Sequence, residues 1–482
     1  MTRRGKSLSI GSAFGLVGGA SGALLTGLLA GPAAATGTTF TVDTLADGPA
    51  NAADCTTPVA GSCSLRDALA AVADGDTVSF ASGLSGTIAM TDGDFDVTSW
   101  ITISGPGAST LTLDAQHNSR IFYVRSSSGP PTISGLTLTN GQAPQGGAIY
   151  EESAAGVILR QVVITRNHSS GGGGVFSRGQ LWVYDSTISD NTAQGSGGGV
   201  LALSTTVVVD STITGNVLPY TTGYGAGINS HGDLTIIRSE ISGNLTLQGG
   251  GGVAQFSPTG ALTILSSTIA DNIAALGGGG LWVRDAPTAL IANSTFANNQ
   301  ATTGGAMSFY FCTVTDIFDS TFVANRAVVS GPGAIAVANQ NVTHVVGSIV
   351  SGNSSVSGVA DLGMSGTGIP LGFYLESSLV GEVDPVLAPV GAHNITSTDP
   401  GVGPLAHNGG PTRTMALLPG SAAIDAGPTP VPTFPGNEFD QRGAGFPRVV
   451  GSRNDIGAFE VQAPPAPTTT VPTEPVVPTF TG

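Results

Sequence analysis

The stretch VVVDSTITGN, Val207 to Asn216, reads as a short strand running into a turn, and it has near copies along the chain. DSTISDN ends at Asn191, SSTIADN at Asn272, NSTFANN at Asn299 and DSTFVAN at Asn325. Aligned on the terminal asparagine, the series runs Asn140, Asn167, Asn191, Asn216, Asn244, Asn272, Asn299, Asn325 and Asn353, with one unit every 24 to 28 residues. A glycine-rich run entering an apolar residue keeps step with it, as GGAI at Gly146, GGGV at Gly197, GGGGV at Gly249 and GGAM at Gly304. Inside a unit the pattern has period two, which sets Val209, Ser211 and Ile213 on one side and Asp210, Thr212 and Thr214 on the other. No unit holds the amphipathic stretch of 3.6-residue spacing that a helical repeat requires.

These units predict one continuous all-β solenoid, a parallel β-helix in which each unit is a coil paired with the next at about 4.8 Å. The corner asparagines tolerate left-handed backbone and are expected to hydrogen-bond one another in a ladder. The glycines serve sharp bends and close approaches of neighbouring coils. Repetition is then a structural requirement, because each coil completes the one before it.

The N-terminus has a basic start, an apolar middle and the small residues Ala33, Ala34 and Ala35, the pattern of a signal peptide cleaved near Ala35. The chain so divides into a signal peptide at 1–36, an N-terminal cap with first coils at 37–125, repeats at 126–360, C-terminal coils with a cap module at 361–462, and a Pro/Thr-rich tail at 463–482. After cleavage 13 arginines face 32 acidic residues and no lysine remains, Lys6 being the only one. An acidic chain with no basic block is a poor ligand for nucleic acid or anionic lipid. The expected place is outside the cell, free or attached to its surface, where Cys55 and Cys63 are close enough to clip a short loop. Cys312, in SFYFCTVTD, alternates with apolar neighbours as a buried small hydrophobe does.

The GGAI and STFxxN landmarks, over roughly 135–353, resemble those of the right-handed parallel β-helix repeat proteins of bacterial surfaces, among them the polymorphic outer membrane proteins, and the resemblance implies a right-handed, pectin-lyase-like coil. FTVDTLADG followed by CSLRDALAAV at Cys63 is similar to the N-terminal Cys-Ser-Leu-Arg-Glu-Ala module of exported bacterial β-helix proteins, with Asp67 in place of Glu. GPLAHNGGPTRTMALLPGSAAIDAG and DQRGAGFPRVVGSRNDIGAFEVQ resemble the C-terminal module such proteins carry ahead of varied surface anchors. Ser64 and Asp67 form a capping box for a short helix with an apolar face of Leu65, Ala68, Leu69 and Val72, a lid for the first coil. The C-terminal module, with Asp425, Asp440, Arg442, Arg448 and Asp455, is expected to be a salt-bridged cap over the other end.

Many proteins of this shape are polysaccharide lyases or hydrolases, which need a basic residue with calcium-holding acids, or paired carboxylates roughly 5–9 Å apart. The mature chain has no lysine, and the Asp pair, Gly-His-Gly and Arg-Ile-Lys of polygalacturonase-type enzymes are absent from it. The candidate constellation is Asp185, Asp210 and Arg238, at equivalent positions of three successive coils, where Ser266, Asn293, Asp319 and Gly347 stand elsewhere. Such variation marks a polar face more than a catalytic one, and His231, in SHGD, reads as a loop residue. No thiol or histidine spacing suggests zinc; no cofactor is called for, with calcium the ion an enzyme would bring. The expected function is non-enzymatic adhesion, or binding of glycans or envelope components. A lyase or glycoside hydrolase with an unfamiliar lateral site is the alternative.

Overall fold

The computed structural model describes residues 37–462 apart from 58, 339–341, 357 and 366–370. The expected signal peptide and the Pro/Thr-rich tail lie outside the described residues.

One coil shows how the opening stretch is used. Thr206–Val209 is a strand, Asp210 turns the chain with φ 50°, and Thr212–Thr214 is a second strand. Gly215 and Asn216 make another corner into Val217–Leu218, and a glycine-bearing loop leads to Ile228–Ser230 before the next coil begins at Leu234. Each strand pairs in parallel with its equivalent one coil away, so that Ile213 lies between Ile188 and Ile241. The coils therefore stack into four parallel sheets. Sheet I, with Thr206–Val209, and sheet II, with Thr212–Thr214, have 13 strands each; sheet III, with Val217–Leu218, has 9, and sheet IV, with Ile228–Ser230, has 11. At about 4.8 Å per coil the rod is ~60 Å long.

The alternation expected across the opening stretch is broken at Asp210. Val208 and Ile213 enter the core, whereas Val207 and Val209 lie on the outer face of sheet I with Tyr184, Ile237 and Leu265. The left-handed residue resets the pleat, so a period carried through it misassigns one side. Inside, Ile164, Ile188, Ile213, Ile241, Ile269, Phe296 and Phe322 stack in one fully buried column.

Asparagines close the corners between sheets II and III. Asn244 is fully buried; its Nδ2 donates to Asn272 Oδ1 at 2.9 Å, and its Oδ1 accepts from the N–H and Nδ2 of Asn216, both at 3.0 Å. The same bonds link Asn167, Asn191, Asn216, Asn244, Asn272, Asn299, Asn325 and Asn353, and the carboxylate of Asp361 ends the series. Two expectations need correction. Asn140 is one residue out of register: Gly141 holds the ladder position, donating its N–H to Asn167 Oδ1 at 2.7 Å, while Asn140 bonds Asp114. The left-handed backbone belongs to the residue before each ladder asparagine, such as Arg166, Asp190 and Gly215. A serine ladder runs beside it, in which Ser239 Oγ accepts from Ser211 N–H at 3.1 Å and donates to Ile237 O at 2.8 Å.

At the N-terminal end the helix Leu65–Ala71 carries the Ser64/Asp67 capping box and buries Leu65 and Ala68 over the first coil. Arg66 pairs with Asp47 at 2.8 Å and donates to the carbonyls of Gly93 and Asp94, tying the preceding loop to the coils. Cys55 and Cys63 are disulfide-bonded, with Cα atoms 4.8 Å apart. Cys312 is buried, which pushes its thiol up to about 12.

The C-terminal module is not an end cap. Residues 401–462 fold back along the rod and cover the outer faces of sheets I and II over the later coils. Met415, Leu417, Ala423 and Ile456 pack on Ala270, Ala297, Val323 and Ile349, and Phe434 packs on the outer face of sheet I. Polar contacts fix the register. Thr295 Oγ1 donates to Gln441 Oε1 at 2.6 Å, Gly457 N–H to Gly347 O at 2.7 Å, and Arg413 reaches both Glu240 and Asp271. At the far end of the rod, Leu387 on a short 3₁₀ turn closes the core instead.

Candidate functional site

The corner between sheets I and II carries the candidate column, and every member has left-handed backbone: Asp185, Asp210 and Arg238 at φ 49°, 50° and 46°. Asp and Asn tolerate this conformation, which explains the polar residues there. Arg238 grips Asp210 through two bonds of 2.7 and 2.6 Å, and this hydrogen bonding raises the guanidinium pKa further. The carboxylate is thus already neutralised by the next coil. Asp185 borders a shallow groove of about 510 Å³ lined largely by the glycine-rich turn 104–109, with Gln161 and Thr187. Two coils beyond Arg238, the same column is sealed. Asn293 bonds Arg448, and Asp319, fully buried beneath the C-terminal module, has one oxygen 3.5 Å from Asn454 Nδ2 and the other unpartnered. Arg448 directs its donors to Asn293 and Gly457 O, so burial wins over its charge and pushes the Asp319 carboxyl up to about 7.

Inside the module, Arg442 pairs with Asp440 at 2.5 Å and lies over the rings of Phe446 and Phe459 at 4.0 and 3.8 Å. Asp455 accepts from the backbone of Asp425 and Val461, and burial pushes Glu460 up to about 8. Of the polar residues anticipated there, Asp440, Arg442, Arg448 and Asp455 are buried against the side of the rod, and Asp425 is exposed. Among the described residues, no group of three or more His, Cys, Asp or Glu is placed to hold a metal ion.

The outer face of sheet IV is different in kind. Tyr123 and Tyr150 stack with ring centroids 5.6 Å apart and planes 3° from parallel, Phe176 meets Tyr150 edge-on at 5.3 Å, and Arg120 lies over both tyrosines. Further along, Trp282 is met by Tyr224 at 4.8 Å, Phe256 at 5.8 Å and Tyr310 at 6.1 Å. The loop ring of His231 lies 5.9 Å from Phe256. The Trp282 ring packs against Gly249, where a Cβ would sit 1.5 Å from it. Only glycine permits that approach. Trp282, Tyr310 and Phe311 then wall a cleft of about 450 Å³ with Leu276 at its edge and Arg284, Thr302 and Thr303 as its polar part.

A family model described as the right handed beta helix region matches residues 119–254 and 204–369, together just over half of the chain. The chain belongs to the right-handed β-helix family. Among solved structures, the crystal structure of pectate lyase Pel9A is similar, with a TM-score of 0.41 and 14% identity, over 89% of this chain and 97% of that one. No curated protein matches this right-handed β-helix in sequence.

Two features of this right-handed β-helix were missed in its sequence, although each left a signal. The cleft was marked by the additional glycine of GGGGV at Gly249 and by the aromatic runs LWVR and SFYF one and two coils later. The docked module was marked on sheet II. Thr165, Ser189, Thr214 and Ser242 give way to Ala270, Ala297 and Val323 where the outer face is covered.

Proposed function

We propose that this β-helix is a non-enzymatic extracellular or cell-surface protein that binds glycans or envelope components along its side. One observation carries the reading. The outer face of sheet IV carries rings over several coils without cover from the C-terminal module, with Tyr150 and Phe176 buried, Tyr224, Phe256, Trp282 and Tyr310 half-buried and Phe311 half exposed, whereas the sheet I and II faces are packed under that module over Thr268–Ile349. Flat aromatic surface left to solvent is unfavourable for folding alone and suits stacking on an extended ligand. The candidate catalytic column supports the same reading, since Arg238 occupies Asp210 and the module covers Asn293 and Asp319. A catalytic site needs groups that converge on one point, and this column supplies a row.

The test is co-sedimentation of the mature chain with insoluble polysaccharides and cell-envelope preparations, alongside assays for reducing ends and unsaturated products. The expected outcome is retention with no product from pectic, alginate or hyaluronan-type polymers, with or without calcium. Turnover abolished by Asp185→Ala or Asp210→Ala would replace this reading with an enzymatic one.

A further inference from the structure

We infer that the cleft walled by Trp282, Tyr310 and Phe311 is a subsite for one neutral pyranose ring of a polysaccharide, an inference that rests on the glycan-binding reading above. Phe311 supplies the argument. It sits at the turn leaving sheet IV with φ 57°, and its side chain remains half exposed. The equivalent residue one coil earlier is Asp285, also left-handed at φ 65°. Aspartate takes that conformation at little cost; a bulky aromatic residue does not. Phe311 is therefore strained and exposed at once, and neither property helps the rod to fold. Strain of this kind collects where the chain must present a side chain to something else.

The chemistry of the cleft narrows the ligand. Its walls are flat apolar rings: Tyr310 lies edge-on to Trp282 at 6.1 Å, and Trp282 is held against Gly249. At the edge, Arg284 and Asp285 pair at 3.3 Å, so donors and acceptors stand together with little net charge, and Thr302 adds a hydroxyl. A pyranose presents an apolar C–H face to a ring and equatorial hydroxyls to such an edge. A polyanion would meet a chain with 32 acidic and 16 basic residues. An apolar peptide would leave the edge pair unanswered.

The experiment is affinity electrophoresis of the mature protein through gels containing soluble neutral glucan, xylan or mannan, beside pectate and alginate, with thermal melting as a parallel readout. The variant is Phe311→Gly, which removes the ring and gives the backbone the residue its φ prefers. Expected are retardation by at least one neutral polymer, its weakening by about tenfold or more in Phe311→Gly, and a melting temperature equal to or above the parent's. Retardation of the parent that survives in Phe311→Gly overturns the subsite and leaves the glycan-binding reading standing. Retardation by the polyanions only overturns the ligand class. Failure of the parent to bind any polymer, in gels or in the sedimentation assay, overturns both.

Discussion

Coils around Asn216 and Asn244 and coils around Asn299 and Asn325 have the same strands and the same ladder but opposite outer faces. In the first pair Thr214 and Ser242 lie outside sheet II, and the corner ends in the half-exposed Asp210–Arg238 pair. In the second, Ala297 and Val323 lie under Met415 and Ile456, and the corner residues Asn293 and Asp319 are sealed beneath Arg448 and Asn454. One coil geometry thus carries two kinds of polar interior. Uncharged amides and hydroxyls in register satisfy each other from coil to coil, whereas the docked module encloses ionisable groups whose state depends on pH. The amides and hydroxyls of the ladder do not titrate, and the module is the part that pH can loosen.

The largest effect that tests this division comes from the ladder. Asn244 makes five side-chain hydrogen bonds, to Asn216, Asn272, Ile213 and Ser242, with no exposure to water. Asn244→Leu leaves several buried groups unpaired at about 1–3 kcal/mol each and forces a larger side chain against Gly227, so a loss of about 3–5 kcal/mol is expected. Thr212→Leu, on the outer side of the same coil, should stay within about 0.5 kcal/mol. Denaturant melts of the two variants give the comparison. Equal stabilities would mean that the ladder accompanies the fold without supporting it.

The coil architecture was legible because a solenoid writes its constraints once per turn: the asparagine that needs a neighbour, the glycines that need room, and the apolar residue between them. Two things were not legible from the same pattern. The inner and outer faces of Val207–Val209 could not be told apart by hydrophobicity, since both are apolar: the outer one belongs to an apolar cluster that runs along sheet I as far as Phe318, where the module's Phe434 stacks. Asn140 fell within the variable spacing of the ladder asparagines, but it fills the left-handed position of its corner, as Arg166 does one coil later, and Gly141 stands at the ladder position. The module itself contacts coils more than a hundred residues earlier, as Arg448 does Asn293, and no local periodicity reports such a pairing. Only the change from Thr and Ser to Ala and Val on sheet II carried it.

An intermediate effect is expected from pH. Asp319 has an ordinary value of 3.8, raised to about 7 by burial under the module; around it stand Arg448, Asn454 and Pro428 from the module and Asn293 and Gly347 from the coils. A raised carboxyl favours its proton more strongly in the docked state than in the released one. The contribution to docking is therefore fully present below about pH 4, declines as pH rises toward 7, and stays lost above that. Glu460, raised to about 8 inside the module, acts with the same sign over a range reaching one unit higher. Asp319→Asn should remove the part that ends near pH 7, on the order of 4 kcal/mol, leaving the part due to Glu460. Limited proteolysis of residues 401–462 between pH 4 and 9 reads it. Release equally pH-dependent in parent and variant would assign the sensitivity to other groups.

The smallest effect belongs to the exposed version of the same corner. Asp210 and Arg238 meet in a bidentate pair with side chains about 30% exposed, which is the geometry that gains most from a surface ion pair. Water and salt still screen it, and two long side chains must be held in place, so the coupling expected from a double-mutant cycle of Asp210→Ala and Arg238→Ala is about 0.2–1 kcal/mol, falling as salt is added. Asp185, one coil earlier, contributes its charge to Arg238 without a bond, and Asp185→Ala should change the coupling little. The cycle separates two roles for this column. A small, salt-sensitive coupling makes the pair an occupant of a left-handed corner that any polar residue can fill, as Ser266 and Asn293 fill it in later coils. A coupling well above 2 kcal/mol that resists salt would instead mean that the pair is held as firmly as the buried Asp440–Arg442 pair, and that the contrast between open and covered coils does not extend to their corners.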